Sequence, residues 1–257
     1  MAKPRIILHV VGEPLLNKNL FEMIKYAKNK GCLVTLHTNA TLLTKEMSIR
    51  MLQSPPDFIS FSFDAASPEV YEKLRVGAKF EQVKAQIESF LKMRHEMKQK
   101  IPFTRIEMIS LEDTEKYIPD FVNYWQANKV DQVAIRMGSD WLGLVDIRGG
   151  IKRRYSGSKP CRLMFFSCAI LVDGTVVPCC RDIAGRVVLG NIFKQKFHEI
   201  WNGDVYNRLR INQLRNTISE NSICFGCSCA WLLSIKEKNI QRLLMRFIER
   251  NAGAKER

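Results

Sequence analysis

Ile170-Leu171-Val172-Asp173-Gly174-Thr175-Val176-Val177-Pro178-Cys179 reads as a β-hairpin that delivers a cysteine. Asp-Gly between two β-branched runs is a strong short-range hairpin signal, because the turn needs residues that tolerate positive φ. With Cys161 upstream, the first half of the pattern is C-x12-G-x4-C, and Cys224-Phe225-Gly226-Cys227 adds a C-x2-C. Two thiolates spaced this way converge on one ion or cluster, and a second pair carried by the hairpin completes tetrahedral or cubane ligation. Cys32, alone in an apolar stretch, reads instead as a small hydrophobe.

The choice between disulfides and a metal centre turns on compartment. The apolar run before Gly12-Glu13-Pro14 is too short for a secretory signal, and no apolar stretch approaches membrane-spanning length, so a cytoplasmic protein without a transmembrane segment is expected. Reducing surroundings disfavour structural disulfides and point paired thiols to metal or redox chemistry, which leaves zinc and iron–sulfur. The 257 residues are 46% hydrophobic, ample for a packed core, and carry a net charge of +14. Because the basic residues are scattered, solvated helix faces account for that charge, and nucleic acid is not expected as a partner.

Along the first 140 residues, β-rich runs alternate with longer amphipathic stretches. Strands are expected near 5–11, 32–37, 58–63, 103–109 and 132–137, and helices near 18–30, 45–53, 68–74, 80–99 and 115–128. Gly31 suits the end of the first helix, and Ser67-Pro68 is a cap followed by a first-turn proline. This is an α/β pattern with a parallel sheet, open or closed into part of a barrel.

Polar or glycine-bearing groups follow successive strands: Gly12-Glu13-Pro14, then Thr38-Asn39, then Ser62-Phe63-Asp64. Ligands of parallel α/β folds bind at that end of the sheet. Glu13 can meet an ammonium, and Ser62 and Asp64 can hydrogen-bond sugar hydroxyls. Asn39 and Asp64 could each serve as turn or cap residues, but their recurrence at strand ends suggests one small-molecule pocket.

These residues resemble a known family. Gly12-Glu13-Pro14-Leu15-Leu16, Thr38-Asn39-Ala40-Thr41-Leu42-Leu43, Ser60-Phe61-Ser62-Phe63-Asp64 and Tyr71-Glu72-Lys73-Leu74-Arg75 resemble the radical S-adenosylmethionine enzymes. The segment with Cys161, Asp173-Gly174-Thr175, Cys179, Leu189-Gly190-Asn191, Glu199-Ile200-Trp201-Asn202 and Cys224-Phe225-Gly226-Cys227 resembles their SPASM or twitch extension. The resemblance implies a partial (β/α)6 TIM-like barrel over 1–145 that binds S-adenosylmethionine. A linker follows at 146–160, then a small α+β cysteine-rich domain over 161–231 with an auxiliary [4Fe–4S] cluster, then a basic tail over 232–257. By the same resemblance, Gly12, Glu13 and Pro14 match the glycine-glycine-glutamate element that binds the methionyl amino group, with Val11 in place of its first glycine. Asn39, Ser62 and Asp64 sit where similar enzymes contact cofactor or substrate, and Cys161, Cys179, Cys224 and Cys227 match the cluster ligands. Cys168 and Cys180 are left as structural extras, and whether either of them or Cys229 replaces a predicted ligand is not written in the sequence.

The family's cleaving cluster needs a C-x3-C-x2-C loop, and Cys32 is the only cysteine before residue 161. The chain as it stands is therefore expected to be inactive, to lack the first barrel strand and to be poorly soluble, with the missing elements encoded upstream. With that loop restored, the resemblance implies oxidation of a carbohydrate or peptide substrate by hydrogen abstraction, with electrons from a donor protein. A noncatalytic iron–sulfur paralogue and a zinc-binding nucleic-acid module are the alternatives. Apolar residues at helical spacing over 235–250 predict a basic amphipathic helix, and residues 251–257 a disordered end. Oligomeric state is not written in the sequence.

Overall fold

The computed structural model describes residues 3–138, 160–225 and 227, and the chain divides into two compact units, the first ending at Gly138 among these residues. In the first unit β1 (Arg5–Ile7), β2 (Leu33–Thr38), β3 (Phe58–Ser62), β4 (Phe103–Ser110) and β5 (Gln132–Met137) form one sheet in sequence order, every pair parallel. Between them lie α1 (Leu20–Asn29), α2 (Lys45–Gln53), α3 (Pro68–Leu74), α4 (Phe80–Glu96) and α5 (Ile118–Ala127). Right-handed crossovers between neighbouring parallel strands put the helices on one face. Strand residues of one parity, Val34, Leu36, Ile59, Phe61, Ile106 and Met108, are fully buried on that side. They share a core with Leu20, Ile24 and Ala27 of α1 and with Val83, Ile87 and Phe90 of α4, residues that recur at helical spacing. Phe63 anchors it, its ring lying 4.8 Å from that of Tyr71, 5.1 Å from Phe80 and 5.5 Å from Trp125.

Periodicity locates every strand and helix of this unit, with four adjustments. β1 ends at Ile7 and not near residue 11, since its ladder with β2 stops at the Ile7 and Thr35 pair and the chain turns toward Gly12 at φ +92°. The helix expected from 80 ends at Glu96, and Lys98 reverses the chain at φ +53°. A 3-10 turn, Glu115–Tyr117, precedes α5, whose second residue is Pro119. Ser67 begins α3 without a side-chain capping bond, so the first-turn proline carries that start.

In the second unit β6 (Ala169–Ile170), β7 (Thr175–Val177) and β8 (Gly190–Asn191) make an antiparallel sheet beside α6 (Leu163–Phe166), α7 (Phe197–Trp201) and α8 (Asp204–Arg215). The Asp173-Gly174 hairpin forms as expected: Gly174 N–H donates to Leu171 C=O at 3.0 Å, and Gly174 takes φ +81°. A β-carbon there would lie 2.5 Å from Cδ2 of Phe193, so space and dihedral both call for glycine. Among the described residues no helix is long and apolar enough to cross a membrane. The basic helix over 235–250, Cys229 and the linker apart from Pro160 lie outside the described residues.

Candidate cofactor-binding sites

The first site is built where β1 gives way to a 3-10 turn, Pro14–Leu16. Glu13 caps that turn by accepting from Leu15 N–H at 3.0 Å, and its carboxylate also reaches the end of β2. Oε1 accepts from the Thr38 hydroxyl at 2.7 Å, and Oε2 accepts from Asn39 N–H at 2.7 Å. Thr38 Oγ1 in turn accepts from Ala40 N–H at 3.0 Å. One carboxylate thus ties the loop after β1 to the end of β2 and fixes its own orientation. Gly12 has open space around its α-carbon, so its requirement is the left-handed dihedral. The Asn39 carbonyl is spent on an Asx turn, accepting from Thr41 N–H at 3.0 Å and the Thr41 hydroxyl at 2.7 Å. Asn39 therefore serves as a turn residue just past the end of β2.

Ser62 ends β3 opposite Glu107, half-buried, and Asp64 follows it, 4% exposed. Burial pushes the Asp64 carboxyl above the usual carboxylate range, against the pull of Arg75, whose Nε donates to Oδ2 at 2.6 Å while NH2 pairs with the same oxygen. Periodicity gave Arg75 no partner, because the pairing depends on how α3 returns to the strand.

The second site collects the cysteines. Cys224 has Cys161 and Cys227 among its electrostatic neighbours, and Cys179 has Cys180 and Cys224. Burial pushes the Cys179 thiol up to about 12 and the Cys224 thiol up to about 11. Hydrogen-bond donors already aim at both sulfurs: the backbone N–H groups of Arg181 and Asp182 at Cys179, and the side chains of Gln213 and Ser222 at Cys224. Metal binding at these sulfurs must displace tightly held protons, and the donors in place offset part of that cost by favouring the thiolate. Among the described residues no three His, Cys, Asp or Glu side chains are close enough to hold a single metal ion. Cys180 is exposed, and Cys168 packs with Met164, Phe165 and Tyr206.

One face of α8 holds this site together. Tyr206 donates to Ser167 C=O at 2.6 Å and Pro178 C=O at 3.2 Å, fixing the strand that precedes Cys179. One turn on, Arg210 donates to Met164 C=O at 3.0 Å and Trp201 C=O at 2.7 Å, with its guanidinium 3.7 Å from the Tyr206 ring centre. Gln213, 2% exposed, accepts from Cys161 N–H at 2.8 Å and hydrogen-bonds Cys224 through the same side chain. Asp182, fully buried, closes the loop after Cys179 by accepting from Arg186 N–H at 2.9 Å and Val187 N–H at 2.8 Å. Sequence reading gives none of these four residues a partner, although the spacing 206, 210, 213 places three of them on one helical stripe.

Residues 2–122 match the model of the radical SAM superfamily, and residues 161–228 match that of an iron–sulfur cluster-binding domain, SPASM. The chain belongs to the radical SAM superfamily. Its two matched domains are of the kinds that bind S-adenosylmethionine and [4Fe–4S] clusters. It is 26% identical over 126 residues to the tungsten-containing aldehyde ferredoxin oxidoreductase cofactor-modifying protein of Pyrococcus furiosus, covering 49% of this chain and 35% of that protein. It is 36% identical over 89 residues to the AdoMet-dependent heme synthase of Methanosarcina barkeri, 34% of this chain and 25% of that one. The matches thus span a minor part of both curated relatives. SuiB of Streptococcus suis, solved with its precursor peptide SuiA, superposes with a TM-score of 0.65 at 16% identity, over 87% of this chain and 58% of that one, and shares the fold.

Proposed function

We propose that this chain is the cofactor-binding and auxiliary-cluster part of a radical SAM oxidoreductase acting on a carbohydrate or peptide substrate. The observation that carries it is the pairing of two sites in one family member: a carboxylate tied to the end of β2, and four cysteines spaced for a cluster, two of them buried with hydrogen-bond donors on their sulfurs. A peptide is favoured over a carbohydrate because SuiB, which shares the fold, was solved with a precursor peptide. Glu13 would receive the ammonium of S-adenosylmethionine, its orientation set by Thr38 and Asn39. Ser62 and the Asp64 and Arg75 pair would contact the rest of the cofactor. Cys161, Cys179, Cys224 and Cys227 would hold the auxiliary [4Fe–4S] cluster. When bound with a reduced cleaving cluster, S-adenosylmethionine supplies a 5′-deoxyadenosyl radical that abstracts hydrogen.

The sequence contains no C-x3-C-x2-C element, so the chain alone has no thiolates to hold the cleaving cluster. That absence also favours a second reading, a noncatalytic member that keeps both binding sites. Anaerobic incubation with S-adenosylmethionine and dithionite tests the pair. The chain alone should bind S-adenosylmethionine and form no 5′-deoxyadenosine, whereas a version carrying a C-x3-C-x2-C loop and its strand ahead of residue 1 should form it. Failure of the extended protein favours the noncatalytic reading, and failure of both to bind S-adenosylmethionine overturns the assignment.

A further inference from the structure

The helix-free face of the parallel sheet carries a charged cluster that none of the residues above uses. His37, Ser60 and Arg105 stand in register on β2, β3 and β4, with Glu107 two residues further along β4, Arg136 on β5 and His9 just past β1. Arg105 is held from several sides. Its guanidinium lies 4.6 Å from the Phe58 ring centre, its Nε donates to Ser60 Oγ at 3.2 Å, and its NH2 pairs with Glu107 Oε1. Arg136 pairs with that same oxygen at 3.2 Å. The His9 and His37 rings lie 4.6 Å apart between centres, tilted by 41°, and His9 Nδ1 is buried without a hydrogen-bond partner among the described residues. Ser60 forms a closed floor at 0% exposure, whereas the Arg136 side chain is 44% exposed and leaves a flank open to a ligand.

The charges do not balance. Two guanidiniums share one carboxylate, and burial keeps the imidazoles uncharged near neutral pH, lowering His9 to about 4 and His37 in the same direction. Among the described residues one positive charge is left over, on the part-exposed Arg136, near a histidine nitrogen that has no partner there. Pairing β4 with β5 needs neither feature, and a guanidinium with one flank open can give a carboxylate a charge-assisted hydrogen bond.

We propose that this face binds a carboxylate, seated against Arg136 and Arg105 beside His9 and His37, and that the substrate is therefore a carboxylate-bearing molecule. A singly charged planar anion matches the surplus and suits guanidinium geometry, while a phosphate dianion would leave negative charge beside Glu107. The inference rests on the proposed function and adds to it that substrate occupies this face of the sheet. The other source of a carboxylate is the methionyl end of S-adenosylmethionine itself.

The test is an NMR titration of the arginine Nε–Hε resonances in the full chain with sodium acetate, against sodium chloride at equal ionic strength and against inorganic phosphate. Saturable acetate shifts at Arg105 and Arg136 are expected, with affinity falling at least about 10-fold in Arg136→Gln, the scale of one charge-assisted hydrogen bond. Glu107→Gln should tighten acetate binding, because it removes the competing carboxylate. If the cluster is only a strand-pairing ion network, acetate acts no differently from chloride, and Glu107→Gln merely lowers the melting temperature. That result, or tighter binding of phosphate than of acetate, overturns the proposal. S-adenosylmethionine is added in a second arm. If it displaces acetate, the carboxylate is the cofactor's and the substrate assignment fails. If it binds and leaves acetate in place, the assignment stands. Absence of any S-adenosylmethionine binding counts against the proposed function, and the acetate arm still judges the site.

Discussion

Replacing Glu13 by glutamine probes the first site with the smallest change of shape. The wild-type carboxylate accepts from Leu15 N–H, the Thr38 hydroxyl and Asn39 N–H, one oxygen serving the first two and the other the third. A carboxamide can keep one oxygen on Leu15 and Thr38, but its NH2 then faces Asn39 N–H, donor against donor. A hydrogen bond to a charged group contributes about 1.5–3 kcal/mol, and leaving a partner unsatisfied costs about 1–3 kcal/mol, so a loss of about 2 kcal/mol is expected. For a unit of this size that lowers the melting temperature by roughly 4–10 °C. Binding of S-adenosylmethionine loses the attraction between carboxylate and ammonium as well, and should weaken by about 30-fold or more, the equivalent of about 2 kcal/mol. Thermal denaturation and anaerobic equilibrium dialysis measure the two effects. Thr38→Val is the control: it removes one donor to Glu13 but keeps the charge, and should cost stability while largely sparing affinity. Unchanged affinity in Glu13→Gln would refute the role given to this carboxylate.

Gln213→Glu keeps the acceptor for Cys161 N–H but removes the donor to Cys224, so the reduction potential of the reconstituted cluster should fall, read by redox titration with electron paramagnetic resonance; an unchanged potential would exclude that hydrogen bond. Gly174→Ala forces an alanine to φ +81° and should cost about 1–2 kcal/mol, measured by denaturant unfolding. Trp125→Ala, in the aromatic core of the first unit, should cost about 3–5 kcal/mol by the same method. The low folded-state value of His9, about 4 against 6.5 when unfolded, means that the unfolded chain takes up the proton first on acidification. Stability is therefore fully present above pH 6.5 and lost as pH falls toward 4, by about 2–3 kcal/mol. His9→Gln should flatten that slope in pH-dependent unfolding.

The elements of the first unit were legible because each strand and helix carries its own period, and the hairpin because Asp173-Gly174 serves a local turn. The cysteine spacing was legible for the same reason. The contacts that join distant segments were not. Arg75 meets Asp64 only through the return of α3, and Glu13 meets Thr38 and Asn39 only because β1 and β2 are neighbours. Tyr206, Arg210 and Gln213 bond to residues 161–178, between 28 and 52 positions away, where no local pattern signals the pairing. The charged face was hidden by strand parity: Arg105 and Glu107 alternate with apolar residues and look like ordinary outward positions until the register places them beside His37 and Arg136.

The four cysteines are tested most directly by counting metal after anaerobic reconstitution of the chain with iron and sulfide. About four irons per chain are expected, with the cluster's absorption, and single Cys161→Ser, Cys179→Ser, Cys224→Ser and Cys227→Ser variants should each lose most of that iron while Cys32→Ser and Cys180→Ser keep it. One zinc and no retained iron, or cysteine variants that load as well as the parent, would contradict a cluster held by this quartet.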